Sequence, residues 1–244
     1  MGLVGDLLER AARATPPVVE DRRSGWWLRH NDNGTWWSGA VIAHGPADSL
    51  GERIDAAERF YAERATEARF QICSDCAGGL DAALDERGYR WDAPISLLTR
   101  VAGAPEEVVV QSGMTIRVDS SLSAEWLAVS SATTGMGDVE HDTGLLLRID
   151  RPAVYVTVLA NGEPVGIGRA VADAGWTGVF SMATTVRARR RGVARTVLSA
   201  ITGWADAHGA PRLYLQVEQS NAAARRLYDV AGFTELATYH YRLR

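Results

Sequence analysis

The chain has 244 residues, of which 46% are hydrophobic and 23% charged. That is the balance of an ordinary globular protein, with material for one large domain or two small ones. A formal net charge of −4 gives no overall basic field to draw the chain to nucleic acid. No apolar run approaches the length of a membrane span, and the N-terminal residues lack the basic and apolar regions of a signal peptide. Two cysteines argue against a disulfide framework and set the expectation of a reducing, cytoplasmic setting.

In chain order, residues 5–14 read as a short helix, and residues 24–29 and 35–44 as strands of bulky or alternating apolar residues. Residues 50–65 place Ile54, Ala57, Phe60 and Tyr61 at helical spacing. A strand is expected over 69–73, a helix over 79–87 closed by Gly88, and a strand over 95–101. Ala104-Pro105-Glu106-Glu107 and Gln111-Ser112-Gly113 read as a connector. Beyond it come a strand at 114–118 and a helix at 123–131 with Ser123 as N-cap. The stretch from Gly135 to Gly144 reads as a glycine-rich, acidic, mobile loop, either an ordinary polar surface loop or one whose Asp138, Glu140 and Asp142 recognise a cationic amine. Strands at 153–160 and 165–171 meet at Asn161-Gly162, the dipeptide of a tight hairpin. A strand at 177–184, a helix at 193–207, a strand at 213–217, a helix at 221–231 and a strand at 235–243 complete the chain.

The two halves repeat an order of elements: strand, long helix, strand, shorter helix, a glycine–aromatic pair and a closing strand. Gly88-Tyr89 stands in the first half where Gly232-Phe233 stands in the second. This order divides the chain into residues 1–104, a connector 105–113 and residues 114–244.

Chemistry concentrates in the second half. Arg189-Arg190-Arg191-Gly192-Val193-Ala194 has the form R-x-x-G-x-A, and lies between a strand and a helix. Gly192 and Ala194 are small enough for the turn's backbone to approach a ligand. Free N–H groups at a helix start, with the helix dipole, make an anion site suited to a pyrophosphate. A basic cluster of this kind also fits a nucleic-acid backbone or a plain solvated turn, but the small-residue spacing favours a bound cofactor. The second motif is Asn221-Ala222-Ala223-Ala224-Arg225-Arg226-Leu227-Tyr228-Asp229-Val230-Ala231-Gly232-Phe233, or N-x-x-A-x-x-L-Y-x-x-x-G-F.

Both motifs, in this order and at this separation, resemble the GNAT superfamily of acetyl-CoA-dependent N-acyltransferases over roughly residues 114–244. The resemblance implies an α/β (α+β) fold of two tandem GNAT-like domains, each with a mixed, splayed central sheet flanked by helices. The first domain is expected to be a degenerate copy, because residues 44–51 offer no R-x-x-G-x-A turn. The second is expected to be catalytic. The cosubstrate implied is acetyl-CoA, without a metal. Its pyrophosphate would lie on the amides of Arg190 to Arg195, with Arg189, Arg190, Arg191 and Arg195 near its phosphates and Gly192, Val193 and Ala194 forming the turn. Its pantetheine arm would run beside Met182, Ala183 and Thr184, on a strand splayed from 213–217. The family's usual proline after that strand is here Val186.

Tyr228 lies seven residues after Asn221, as the family's catalytic tyrosine does, and is expected to protonate or hydrogen-bond the leaving sulfur. Asn221 is expected to cap its helix, to bond pantetheine amides, or both. Some family members carry a general-base Glu five residues before that Asn; here the position is Gln216, which takes no proton. Glu218, on the same face by strand alternation, His240 and a water chain are the candidates for the base. The expected reaction is acetyl transfer to a primary amine of a small molecule by direct attack. A protein or peptide amine, and a non-catalytic acyl-CoA sensor, are the alternatives. Cys73-Ser74-Asp75-Cys76 is read as two free thiols, since no second cysteine pair completes a zinc site. The pairs Trp26-Trp27 and Trp36-Trp37 are read as packing.

Overall fold

The protein is described from a computed structural model that covers residues 2–23, 25–31, 38–45, 48–101, 110, 112–134 and 139–244. The expectations for Trp36-Trp37, for most of the connector and for Gly135 to Asp138 fall outside these residues. By packing, the chain forms two compact units. One holds Met1–Leu97, Glu218–Ser220 and Glu235–Arg244; the other holds Leu98–Val217 and Asn221–Thr234.

The first unit begins with α1 (Leu3–Arg13), whose apolar face buries Leu7, Leu8, Ala11 and Ala12. Two antiparallel strands follow, β1 (Val19–Arg23) and β2 (Trp26–His30). The short β3 (Val41–Ile42) pairs antiparallel with β2 and parallel with β4 (Arg69–Ile72). The helix α2 (Leu50–Ala62) makes the crossover between β3 and β4 and buries Ile54, Ala57, Phe60 and Tyr61. These are the four residues whose spacing marks the helix in the sequence. Next come α3 (Leu80–Glu86) and β5 (Arg90–Arg100), the latter counting with this unit through Leu97. The core gathers Trp26, Leu28, Val41, Phe60, Phe70, Leu84 and Tyr89.

The second unit opens with β6 (Met114–Asp119) and α4 (Ala124–Thr134), where the Ser123 hydroxyl accepts from the Trp126 amide at 3.1 Å as the expected N-cap. The expected loop from Gly135 to Gly144 needs correction: from Val139 onward the backbone is helical, as α5 (Val139–Leu147). The glycines at Gly135, Gly137 and Gly144 conceal that helix from a reading by composition. Three long antiparallel strands follow: β7 (Ala153–Ala160), β8 (Glu163–Asp173) and β9 (Trp176–Thr184). At the β7–β8 hairpin Asn161 and Gly162 take φ of 53° and 83°, both in the left-handed region that a two-residue turn demands. The helix α6 (Val193–Ala207) crosses from β9 to the parallel strand β10 (Arg212–Glu218), and α7 (Ala222–Val230) precedes β11 (Thr234–Leu243). Within this unit the sheet order is β10-β9-β8-β7-β6. The last strand counts with the first unit from Glu235 on and pairs antiparallel with β4 there.

The repeat seen in the sequence recurs in the backbone. In each half a helix joins two parallel strands and a second, shorter helix ends on the same device. The Gly88 amide donates to the Asp85 carbonyl and the Tyr89 amide to that of Leu84; Gly232 and Phe233 donate likewise to Asp229 and Tyr228. Gly88 and Gly232 sit at φ of 83° and 80°, the left-handed terminator that glycine adopts without Cβ strain. No helix among the described residues is long and apolar enough to cross a membrane.

The packing of α6 on β8 sets the position of the turn that precedes α6, and Gly168 lies at the contact. A Cβ there would meet Val197 Cγ1 at 2.5 Å and Met182 Sδ at 2.8 Å. Gly168→Ala is expected to cost about 1–3 kcal/mol as an overpacked site. It would be read as a lower urea midpoint at constant denaturant slope; an unchanged midpoint would contradict this close approach.

Candidate active site

The site begins where two parallel strands part. β9 and β10 pair from Trp176 with Arg212 to Val179 with Leu215, and no further. Both strands continue beyond, β9 to Thr184 and β10 to Glu218. A β-bulge accompanies the separation. On β8, Ile167 pairs with Ala183 and Arg169 with Phe180, so that Gly168 alone faces Ser181 and Met182. Ser181 takes a left-handed φ of 52°. A bulge adds a residue to one strand, bends it and sharpens its twist, which accounts for β9 leaving β10 just beyond Val179. Among the described residues the side of β9 that faced β10 therefore has no partner strand over Phe180 to Thr184, and Met182, Ala183 and Thr184 are half-buried along it. An extended chain with amide groups of its own would pair with such an edge.

The strand runs into a single 3-10 turn, Val186–Ala188, anchored by the Thr185 amide on the Val165 carbonyl at 2.9 Å. Arg190 at φ 61° and Gly192 at φ 78° then take left-handed conformations. A non-glycine residue in that region carries strain of about 1–2 kcal/mol, so the shape is imposed by its surroundings. Val193 and Ala188, both buried, pin the turn from either side. The first internal bond of α6 runs from the Thr196 amide to the Gly192 carbonyl at 3.0 Å. Among the described residues the six amides from Arg190 to Arg195 have no backbone or side-chain acceptor. Alternating right- and left-handed residues at a helix N-terminus concentrate N–H dipoles and bind anions. Arg189, Arg190, Arg191 and Arg195 stand exposed around this turn with no carboxylate partner among the described residues.

Asn221 is the N-cap of α7: its Oδ1 accepts from the Ala224 amide at 3.1 Å. Seven residues on, Tyr228 is 6% exposed and packs edge-on against Phe233, with ring centroids 5.7 Å apart. Burial raises its pKa to about 12, because a phenolate would be poorly solvated there. Its hydroxyl has no hydrogen-bond partner among the described residues. It is therefore a protonated donor at neutral pH.

The two candidate bases lie in the first unit. Glu218, exposed, accepts from the Ser220 hydroxyl at 3.2 Å. It lines a cleft of about 460 Å³ with Arg69, Asp92, Ala93, Pro94, Ser220 and Leu243. His240 is engaged elsewhere: its Nε2 lies 3.0 Å from Asp81 Oδ1, in an ion cluster that Arg242 joins at 2.6 Å, and its ring lies against Trp91. The partners of His240 are remote in sequence, so the sequence gives no sign that its ring is already held.

Comparison with known proteins follows this geometry. Residues 121–233 match the acetyltransferase (GNAT) family. Over 241 residues, covering 97% of both chains, the protein is 24% identical to an uncharacterized N-acetyltransferase, YobR, of Bacillus subtilis. Its fold is similar to that of a GCN5-related N-acetyltransferase from Kribbella flavida, with a TM-score of 0.73 at 19% identity over 100% of this chain and 96% of the other. It is also similar to a tandem GNAT protein from the clavulanic acid biosynthesis pathway, with a TM-score of 0.69 at 9% identity over 97% and 87% of the two chains.

The turn geometry makes Gly192 a sharp probe of the anion site. Gly192→Glu puts a Cβ and a carboxylate at a left-handed position beside the unpartnered amides. Acetyl-CoA affinity, measured by calorimetry on the folded variant, is expected to fall more than tenfold, about 1.4 kcal/mol or more. Unchanged affinity would remove the turn from the binding site.

Proposed function

We propose that the chain, whose residues 121–233 match the acetyltransferase (GNAT) family, moves an acetyl group from acetyl-CoA to a primary amine of a small molecule by direct attack. The observation that carries this reading is the conjunction of the unpaired β9 edge with the six unpartnered amides of the turn that follows it. The first suits an extended amide-bearing arm and the second a pyrophosphate, and the two are consecutive along one chain segment. The residues present fit acetyl-CoA. The amides of Arg190 to Arg195 hold the anion, the exposed arginines neutralise its remaining charge, and Met182 to Thr184 border the arm. Bound there, acetyl-CoA supplies the activated acetyl group.

The chain's own residues supply the proton chemistry. An amine of Lys-like basicity arrives protonated, with a pKa of about 10.4, and must lose that proton before attack. Glu218 is the proposed acceptor of the proton, directly or through water. The cleft around it, about 460 Å³ and lined by Asp92 as a second carboxylate and by Arg69 as a cation, has the size of a small-molecule site. That size favours a small amine over a folded protein as acceptor. Tyr228 faces the other half of the task. With its pKa near 12, well above a thiol's value of about 8.5, full proton transfer from it to the leaving sulfur runs uphill. The tyrosine hydroxyl therefore acts as a hydrogen-bond donor that stabilises negative charge as it develops on sulfur.

Tyr228→Phe removes the hydroxyl and keeps the ring against Phe233. Turnover is expected to fall about 100-fold, the low end for such groups, while acetyl-CoA affinity and thermal stability hold. That pattern marks an interaction made in the transition state. Full turnover in the variant, with chemistry limiting the rate, would reduce Tyr228 to a packing residue.

A further inference from the structure

The sequence sets aside Cys73-Ser74-Asp75-Cys76 for want of two more ligands, but folding supplies a third from 29 residues upstream. His44 Nε2 lies 3.6 Å from Cys73 Sγ, the two sulfurs are 3.4 Å apart, and all three ligand atoms fall within 4.8 Å of one another. We propose that His44, Cys73 and Cys76 form a zinc site in the N-terminal unit, with one coordination position left to water.

The distances carry the argument. Zinc–sulfur and zinc–nitrogen bonds of about 2.3 and 2.0–2.1 Å at tetrahedral angles set sulfur–sulfur and sulfur–nitrogen separations of about 3.8 and 3.5 Å. The sulfur–sulfur and Cys73–His44 separations lie near those values, and Cys76 Sγ is within 4.8 Å of the imidazole ligand atom. A disulfide would require the sulfurs to close to about 2.05 Å, and would leave the imidazole without a role. The imidazole is also oriented as a ligand. Its Nδ1 lies 3.2 Å from Glu9 Oε1, the carboxylate–histidine arrangement that fixes the tautomer and turns Nε2 toward a metal.

The backbone holds the ligands in register. His44 and Cys76 face each other in an isolated antiparallel bridge, and the Ala77 amide donates to the Ala43 carbonyl at 3.0 Å. Cys73 and Cys76 share a turn in which the Cys76 amide meets the Cys73 carbonyl at 3.1 Å, and the Cys73 amide points to Cys76 Sγ at 3.2 Å. Cys76 Sγ also donates to the Gln71 carbonyl at 3.2 Å, a bond it would exchange for zinc. Each thiol gives up its proton to solvent as its bond to zinc forms, and no electron moves. His44 is buried and the cysteines are half-buried. Among the described residues no fourth His, Cys, Asp or Glu joins the group, which leaves the fourth position to water.

The site would tie together three segments. His44 follows β3, the cysteines follow β4, and Glu9 belongs to α1. Asp75, in the same turn, already accepts from the Gly5 amide at the start of α1 at 3.0 Å. Bound zinc would therefore lock α1 to the sheet, and its binding energy would add to the unit's stability.

The test uses the full-length protein, reduced and freed of metal with a chelator, then titrated with cobalt(II) and with zinc chloride. The expected result is one equivalent per chain, a thiolate-to-cobalt charge-transfer band with intense visible bands of tetrahedral type, displacement of cobalt by zinc, and a rise in melting temperature with zinc. Cys73→Ser and His44→Ala should each weaken zinc binding at least tenfold. Glu9→Gln, a positioning change, should weaken it about 10–100-fold and leave the acetyl-CoA affinity intact. A wild-type cobalt spectrum without the charge-transfer band would overturn the site, whatever the variants do. So would equal zinc affinity in a Cys73→Ser/Cys76→Ser double variant, or a Cys73–Cys76 disulfide that persists as the stable form in equimolar zinc.

Discussion

The parting of β9 from β10 after Val179 and Leu215 is the constraint from which the second unit's site follows. Parallel strands in a sheet normally satisfy one another's amides along their length, and an interior amide without a partner is costly. The unit accepts that cost at one place, where an extra residue at Ser181 and Met182 bends β9 away. Gly168 makes the bend compatible with packing, because a side chain there would collide with Val197 and Met182. The same strand then delivers the chain to a turn whose shape exposes six amides at the mouth of α6. The edge and the turn are thus products of one distortion, and a ligand that is extended at one end and anionic at the other satisfies both.

The N-terminal unit carries the same kind of crossover with no R-x-x-G-x-A sequence over residues 44–51. β3, α2 and β4 repeat the crossover of β9, α6 and β10, and the terminators at Gly88 and Gly232 make the same pair of hydrogen bonds. The buried aromatic residues of the first unit, among them Trp26, Phe70 and Tyr89, fill its core with edge-on contacts. Its distinctive polar group is the Glu9, His44, Cys73 and Cys76 cluster, a feature without counterpart in the motifs of the second half.

Local signals in the sequence carried far. Helical spacing of Ile54, Ala57, Phe60 and Tyr61 marks α2, Asn161-Gly162 marks its hairpin, and Ser123 and Asn221 cap the helices they precede. What stayed hidden was set by contacts distant in sequence or by composition. β1 is Val-Glu-Asp-Arg-Arg, an edge strand whose charges erase the alternating pattern. α5 carries a glycine and begins beside two more, so it reads as a loop. His240 has no evident partner in the sequence until β11 brings it to Asp81, 159 residues away. His44 reaches the cysteines through a backbone bridge that no spacing rule reports. In the candidate active site the place of the turn was legible from R-x-x-G-x-A, but the bulge that parts the strands was not, since Ser181 is not a residue that advertises a left-handed backbone.

The central claim, that one segment from the unpaired β9 edge through the start of α6 receives acetyl-CoA, is tested most directly by amide hydrogen exchange on the full-length protein with and without acetyl-CoA. The account predicts slower exchange at Met182 to Thr184 and at Arg190 to Arg195, with residues 44–51 of the N-terminal unit unchanged. Protection confined to residues 44–51, or no protection at Arg190 to Arg195 under saturating acetyl-CoA, would contradict it.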